Sequence, residues 1–335
     1  MKKLLLLLST IILISCGENK VSTKKIEKEN NFEGFYDRIG TIQYVKGVAV
    51  DTVFYKDIKD SEGKIPRQVK AYVDGKFCWI SNAPTPKIAK DNGIKMPWKS
   101  GAGGYGSYNY SASTNFSPMD EYMTNMIGNG LMWGPSFEQR GAIRDSILKN
   151  DSFKWEFIST FDGNTYNHKW VQPDSVTTIY SELNKKIESS AEQTILDGVW
   201  KHIANVRYVN NVPVDTIGLP DGLDDHKLYH KGNVMVNYDF TLAKEGDQNF
   251  GGAGLIGKFS YKDGVLTEFF EMGTGNWTPP DTKVWSDGQS ADIDMIDDDT
   301  FIQINRYAAE DNGDGTFTFV EAKKEKNGLL HVRVK

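Results

Sequence analysis

The sequence predicts an all-β chain: two tandem antiparallel β-barrels with a connecting helix between them. Three observations carry that reading. First, the chain repeats itself at domain scale. Residues 33–52 (EGFYDRIGTIQYVKGVAVDT) align with residues 197–216 (DGVWKHIANVRYVNNVPVDT), 164 positions later, and eight of the twenty positions are identical. Solenoid units run about 20–50 residues, so this period is that of a whole domain. Second, each half is a series of short runs rich in Val, Ile, Thr and aromatic residues, separated by polar turns. Third, each half carries a glycine-rich strand and little helical periodicity, the pattern of a sandwich or antiparallel barrel.

The elements follow in the same order in both halves. Ile42–Tyr55 alternates as a strand pair. Gln68–Ile80 reads as a hairpin about Asp74-Gly75, and His226–Tyr238 as its counterpart about Lys231-Gly232-Asn233. In that alignment Lys70, Tyr72 and Gly75 fall on Lys227, Tyr229 and Gly232. Glycine-rich strands come next, Gly101–Tyr110 and Gly251–Tyr261, the second running through Lys262-Asp263-Gly264 into Val265–Met272. Late strands are predicted at Ser152–Thr160 and Thr300–Tyr307, and terminal strands at His168–Gln172 and His331–Lys335. Two helices are expected. Ser136–Lys149 opens on a capping-box spacing, Ser136 with Gln139. Val176, Ile179, Leu183 and Ile187 form an apolar stripe after Pro173-Asp174, predicting a helix over 174–195 that joins barrels at 32–173 and 196–335.

The N-terminus is a targeting segment. Lys2 and Lys3 precede an apolar run, Leu4–Ile14, too short for a stable membrane span. It ends in Leu13-Ile14-Ser15-Cys16, which resembles the lipobox of bacterial lipoproteins. The resemblance implies a signal peptide at 1–15, a lipid on Cys16, and a location in the cell envelope anchored to the outer membrane. Residues 16–31 are polar and lysine-rich and read as a flexible tether.

Composition narrows the partners. The formal net charge is −6, which argues against nucleic acid. Cys16 and Cys78 are the only cysteines, so a lipidated Cys16 leaves no internal disulfide. Cys78, in Phe77-Cys78-Trp79-Ile80, reads as a buried small hydrophobe. Halves of about 150 residues are large enough to be held by their own cores.

Gly34-Phe35-Tyr36 and Gly198-Val199-Trp200 open the two halves, and Arg333 lies on the last strand. Gly-X-Trp on a first strand with a basic residue on the last resembles the lipocalin-like (calycin) barrels. That resemblance implies barrel closure by Gly198, Trp200 and Arg333, with Arg333 across Trp200. In the first half it implies an aromatic pair, Tyr36 with Trp170. The second half also looks like the lipocalin-like domains of bacterial lipoproteins, which implies a ligand cavity rather than a reaction.

The motifs that resemble catalytic signatures have simpler readings. Gly101–Gly106 satisfies G-x-G-x-x-G and Gly252–Lys258 satisfies G-x-x-x-x-G-K, but aromatic strands follow both where a helix N-terminus is required. Glycines that let a strand bulge explain them. His226 and His230 on a strand stand about 13 Å apart, too far for one metal. Acidic clusters at Asp221–Asp225, Asp292–Asp299 and Glu310–Asp314 read as solvated turns, with calcium or a carboxylate pair including Asp294 as the alternative. No catalytic residue, cofactor or resident metal is expected.

The aromatic load carries the functional reading. Tyr72, Trp79, Tyr108, Tyr110, Tyr229, Tyr238, Phe259, Tyr261 and Phe270 are the candidates to line a cavity for a small apolar or amphipathic ligand. The alternative is a surface glycan-binding or protein-interaction module with filled barrels. Exposed Trp98, Trp133, Trp277 and Trp285 would mark that module.

Overall fold

A computed structural model describes residues 32–57, 67–82, 102–111, 117–128, 152–173, 175–220, 222–240, 252–275, 288–311 and 317–335, with four residues between 146 and 150. The expected signal peptide, tether and Cys16 lie outside these residues, as do Trp98, Trp133, Trp277 and Trp285. Among the described residues no helix is long and apolar enough to cross a membrane.

The first sheet contains β1 (Gly34–Val45), β2 (Val48–Phe54), β3 (Gln68–Val73), β4 (Lys76–Ser81), β5 (Ala102–Tyr110), β6 (Ser117–Gly128), β7 (Phe153–Phe161), β8 (Thr165–Trp170) and β9 (Thr178–Lys186). The second contains β10 (Gly198–Val209), β11 (Val212–Gly218), β12 (Leu223–His230), β13 (Asn233–Phe240), β14 (Ala253–Lys262), β15 (Val265–Gly275), β16 (Gln289–Asp297), β17 (Thr300–Asn305) and, after a small hairpin of β18 (Tyr307–Asp311) and β19 (Phe317–Glu321), β20 (Glu325–Arg333). Strand β1 pairs with β9, and β10 with β20, so each sheet closes on itself as an eight-stranded antiparallel barrel. Strands β2 and β11 stand outside the closed rings, each paired with one neighbour.

The connecting helix is replaced by a strand. Residues 178–186 form β9, which closes the first barrel against β1 from Tyr36↔Lys186 to Val45↔Thr178. The apolar stripe misled because the inward face of β9 is polar. Glu182 and Asn184 point into the barrel and are buried, so no period-two apolar signal exists to read. The first barrel therefore runs on past Gln172. Of the helix expected over 136–149, most residues lie outside the described set. Ser146, Ile147 and Lys149 are helical, and Ile147 packs on the first barrel's core.

Both glycine-rich motifs lie on strands from Ala102 and from Ala253 onward, as their aromatic sequels require. Each contains a bulge at the equivalent place, between Tyr105 and Gly106 and between Ile256 and Gly257. A Cβ at Gly106 would stand 1.8 Å from the Tyr122 carbonyl oxygen, and one at Gly257 1.8 Å from that of Phe269. Close backbone approach fixes glycine there.

The two barrels bury apolar outer faces against each other. Phe35, Val69, Ala71, Val73, Cys78 and Ile80 of the first meet Val199, Leu228, Met235, Ile256 and Met272 of the second. Burial pushes the Cys78 thiol far above its usual pKa, so it is an inert core group. Polar contacts rim this seam. The Tyr105 and His226 rings stack at 3.8 Å, Asn125 donates to Asp224 at 3.1 Å, and Arg67 donates to Glu271 at 3.1 Å.

Candidate functional site: the barrel interiors and two exposed hairpins

At one end of each barrel the opening strand meets the closing strand through a cation and a ring. Arg333 lies 4.1 Å over the Trp200 ring and donates to the carbonyls of Asp197 and Ile195. Gly198 makes room: it has φ +131, and a Cβ there would collide with the Arg333 guanidinium. The first barrel uses the same register with different residues. Lys186, not an aromatic, occupies the place of Arg333, with Nζ 5.8 Å from the Tyr36 ring and Cε against Gly34. Trp170 lies elsewhere, 5.7 Å from the Phe157 ring, because β9 rather than β8 is the closing strand. In both barrels the opening ring is tied to the residue four positions earlier. Tyr36 Oη donates to the Phe32 carbonyl at 2.5 Å, and Trp200 Nε1 to that of Leu196 at 2.7 Å.

Charged side chains lie buried inside both barrels. Lys70 Nζ lies 3.1 Å from Glu121 Oε1 and 3.1 Å from Glu182 Oε2. Tyr72 Oη donates to Glu121 at 2.6 Å, and Arg38 donates to Glu182 at 3.0 Å. The second barrel repeats the core of this network. Lys227 Nζ lies 3.0 Å from Glu268, and Tyr229 Oη donates to Glu268 at 2.7 Å. The ladders show true equivalence. Lys70 and Lys227 oppose Tyr36 and Trp200, while Glu121 and Glu268 oppose Tyr108 and Phe259.

Around that shared triad the barrels differ. Arg38 with Gln68 in the first is His202 with Asp225 in the second, at 3.1 and 3.0 Å. His168 in the first is Gln303 in the second, each facing the interior glutamate. Asn184, wholly buried at the place of His331, has both amide atoms unpartnered among the described residues.

The electrostatics follow from this packing. Burial alone would raise Glu182, but Lys70 and Arg38 outweigh it and hold the carboxyl down, to about 2. Glu121 is held below its usual range by Lys70 against the same burial. Burial, aided by Lys70, holds His168 below its ordinary value, and burial with Lys227 and His202 does so more strongly for His331. Both rings are therefore neutral near pH 7.

Ser159 Oγ and His168 Nδ1 lie 2.8 Å apart, with His168 Nε2 3.5 Å from Glu121. The constellation resembles a hydrolase triad, but all three side chains are wholly buried and the hydroxyl meets no solvent. The second barrel places Ile293 opposite Gln303 in this position. The group is interior scaffolding.

The candidate cavity residues divide by depth. Tyr72, Trp79, Tyr229, Phe259 and Phe270 are buried among their neighbours, whereas Tyr108, Tyr110 and Tyr261 are partly buried on the same interior clusters. Tyr238 is half-buried across from Asp225. Among the described residues no group of three metal-ligating side chains converges. His226 is committed to its stack on Tyr105, and Asp292 to Arg306. Lys186, Glu121 and Glu268 escaped the sequence reading. A signal existed: each glutamate stands between two inward apolar residues at period two, Met119 and Met123 or Leu266 and Phe270.

The β1–β2 and β10–β11 hairpins project beyond the rings. Along β1, Gly34–Asp37 pairs with β3, while Gly40–Val45 pairs with β2 instead. Every residue of β2 and of β11 is exposed. Val48 and Val50 are 64% and 55% exposed, and Val212 and Val214 59% and 49%. Both tips turn through two residues of positive φ, Lys46-Gly47 and Asn210-Asn211, the geometry of a tight hairpin.

Comparison with family models finds no match, and neither does comparison with curated proteins. Among solved structures, the chain is similar to an uncharacterized protein of Saccharomyces cerevisiae, YLR301w, at 7% identity with a TM-score of 0.39, over 90% of this chain and 97% of that one. It is also similar to the isotype 1 transferrin binding protein B (TbpB) from serogroup B Neisseria meningitidis, at 8% identity with a TM-score of 0.23, over 90% of this chain and 77% of that one.

Proposed function

We propose that this protein is a non-enzymatic, lipid-anchored interaction module of the cell envelope, working through its surface rather than through a cavity ligand. The observation that carries this is a buried, ion-paired cluster inside each barrel. A Lys–Glu–Tyr cluster crosses each interior, with the lysine and glutamate side chains at most 8% exposed. Apolar cargo that displaced one of these groups would leave its partner unpaired, at a cost of about 1–3 kcal/mol for each buried group. The anchor reading rests on Leu13-Ile14-Ser15-Cys16.

The test is native mass spectrometry of the chain, followed by organic extraction and titration with a fatty-acid fluorophore. A mass equal to the lipidated polypeptide, with no uptake of the fluorophore, is the expected result. An excess mass lost on denaturation would overturn the reading in favour of a carrier.

A further inference from the structure

We propose that the outer edges of β2 and β11 are docking edges for an extended, basic peptide segment of a partner, which adds to each hairpin as a further strand. The inference deepens the interaction-module reading and rests on it.

Both strands are hydrogen-bonded on one side only, to β1 and to β10, and their other edges are unpaired among the described residues. Such an edge offers a row of free N–H and C=O groups, which proteins usually protect with lysine, proline or a bulge that turns the edge away. Strand β2 (VAVDTVF) contains no lysine or proline and runs seven residues, whereas β11 (VPVDTIG) carries Pro213 as its second residue, so its open edge runs from Val214 onward. The bulge of β2 leaves Val50 as the extra residue against β1 and recurs at Val214 against β10, so the regular edge runs from Asp51 and from Asp215 onward. Main-chain pairing along such an edge supplies affinity, and alternate side chains supply selectivity.

The internal repeat strengthens the case. Outside the shared Lys–Glu–Tyr triad the interiors have diverged between the halves: Trp79 is matched by Val236, Arg38 by His202 and Glu182 by Leu329. Yet Val48, Val50, Asp51 and Thr52 are identical to Val212, Val214, Asp215 and Thr216, on strands that are exposed throughout. β-propensity accounts for valine and threonine in a hairpin. It does not account for apolar side chains left about half or more in water at matching places, nor for a shared aspartate.

That aspartate selects the occupant. Asp51 and Asp215 sit mid-strand, and neither has a cation within salt-bridge distance among the described residues. Among the described residues the Asp51 carboxylate accepts only the Thr52 amide, at 2.8 Å. A second copy docking β2 on β2 about its centre would set Asp51 against Asp51, and directly opposed like charges are destabilising. A strand with a lysine or arginine between apolar β-branched residues would meet both the carboxylate and the valines.

The test uses the full-length chain and two fluorescein-labelled peptides of about nine residues, alternating valine with threonine and differing only in a central lysine or glutamate. Fluorescence anisotropy is the readout. The lysine peptide is expected to bind at least about five-fold more tightly, in keeping with cross-strand charge pairs. The double variant Asp51→Lys, Asp215→Lys is expected to reverse that order, and the reversal itself shows that the variant folds. Equal affinity for both peptides, no binding of either, or an unreversed order overturns the proposal. Self-association in sedimentation equilibrium also overturns it, assigning the edges to a second copy. Native mass spectra of the same preparation separate the two failures. Bound cargo overturns the interaction-module reading as well, whereas a bare chain that ignores both peptides overturns only the edge assignment.

Discussion

Lys70 and Glu121 meet at 3.1 Å inside the first barrel, and Lys227 and Glu268 meet at 3.0 Å in the same place inside the second. An ion pair held out of water is a poor source of net stability, because desolvation offsets the attraction. It becomes a liability once one partner is removed. Lys227→Met is therefore expected to cost about 3–5 kcal/mol, since it leaves Glu268 buried and unpaired. Adding Glu268→Gln, which keeps an acceptor for Tyr229, should recover more than half of that loss. Urea denaturation of the single and double variants checks both values.

Closure by Arg333 combines a ring contact with three carbonyl acceptors, those of Ile195, Asp197 and Asp298, and an ion pair to Asp299. Arg333→Ala should lower stability by about 1–3 kcal/mol, the sum of a cation–π contact and modest charge-assisted hydrogen bonds on a partly exposed side chain. The fluorescence of Trp200, whose ring lies directly beneath, should shift with it. No change in either signal would show that the second barrel closes without this contact.

Acid should unfold the protein in two overlapping stages. His226 has a folded pKa pushed from 6.5 to about 4, chiefly by burial, so the unfolded chain binds the proton more readily. Its contribution is present above pH 6.5 and falls as pH drops from 6.5 through 4. Glu182 is held at about 2 against an ordinary 4.5, so its contribution falls as pH drops from 4.5 through 2. Both signs agree: Tm should decline continuously on acidification from about pH 6.5. His226→Gln should flatten the decline between pH 6.5 and 4 while lowering Tm at neutral pH through loss of the Tyr105 stack.

The two bulge glycines should be intolerant for the same reason. Gly106→Ala and Gly257→Ala each place a methyl group inside the van der Waals radius of a backbone oxygen, so the ladder must shift. Each should cost at least about 2 kcal/mol. Gly75→Ala meets no neighbouring atom, and its penalty would come only from φ +73. Thermal unfolding of the three variants separates crowding from conformational strain.

Leu228 tests the seam between the barrels. It is wholly buried on the outer face of β12, among side chains of the first barrel. Leu228→Ala should cost about 2–5 kcal/mol by leaving a cavity there. A loss under 1 kcal/mol would mean that the barrels hold each other weakly.

The sequence by itself determined the repeat, the two β halves and the strand character of the glycine-rich motifs, because each is a local property. A duplicated segment is visible residue by residue. Asp-Gly and Lys-Asp-Gly turns announce hairpins, and an aromatic strand after a glycine run excludes a phosphate loop. The grouping of Gly198, Trp200 and Arg333 came from the resemblance of Gly-X-Trp and a terminal basic residue to the calycin pattern, rather than from the residues alone. Only the tertiary structure decided the identity of the closing strand in the first half. Strand β9 carries Glu182 and Asn184 inward, and a polar interior erases the alternation by which a strand is recognised. The same is true of the interior triads. Lys70 and Glu121 are 51 residues apart and meet only when the ring closes, which makes buried charge tolerable and leaves the valines of β2 and β11 outside.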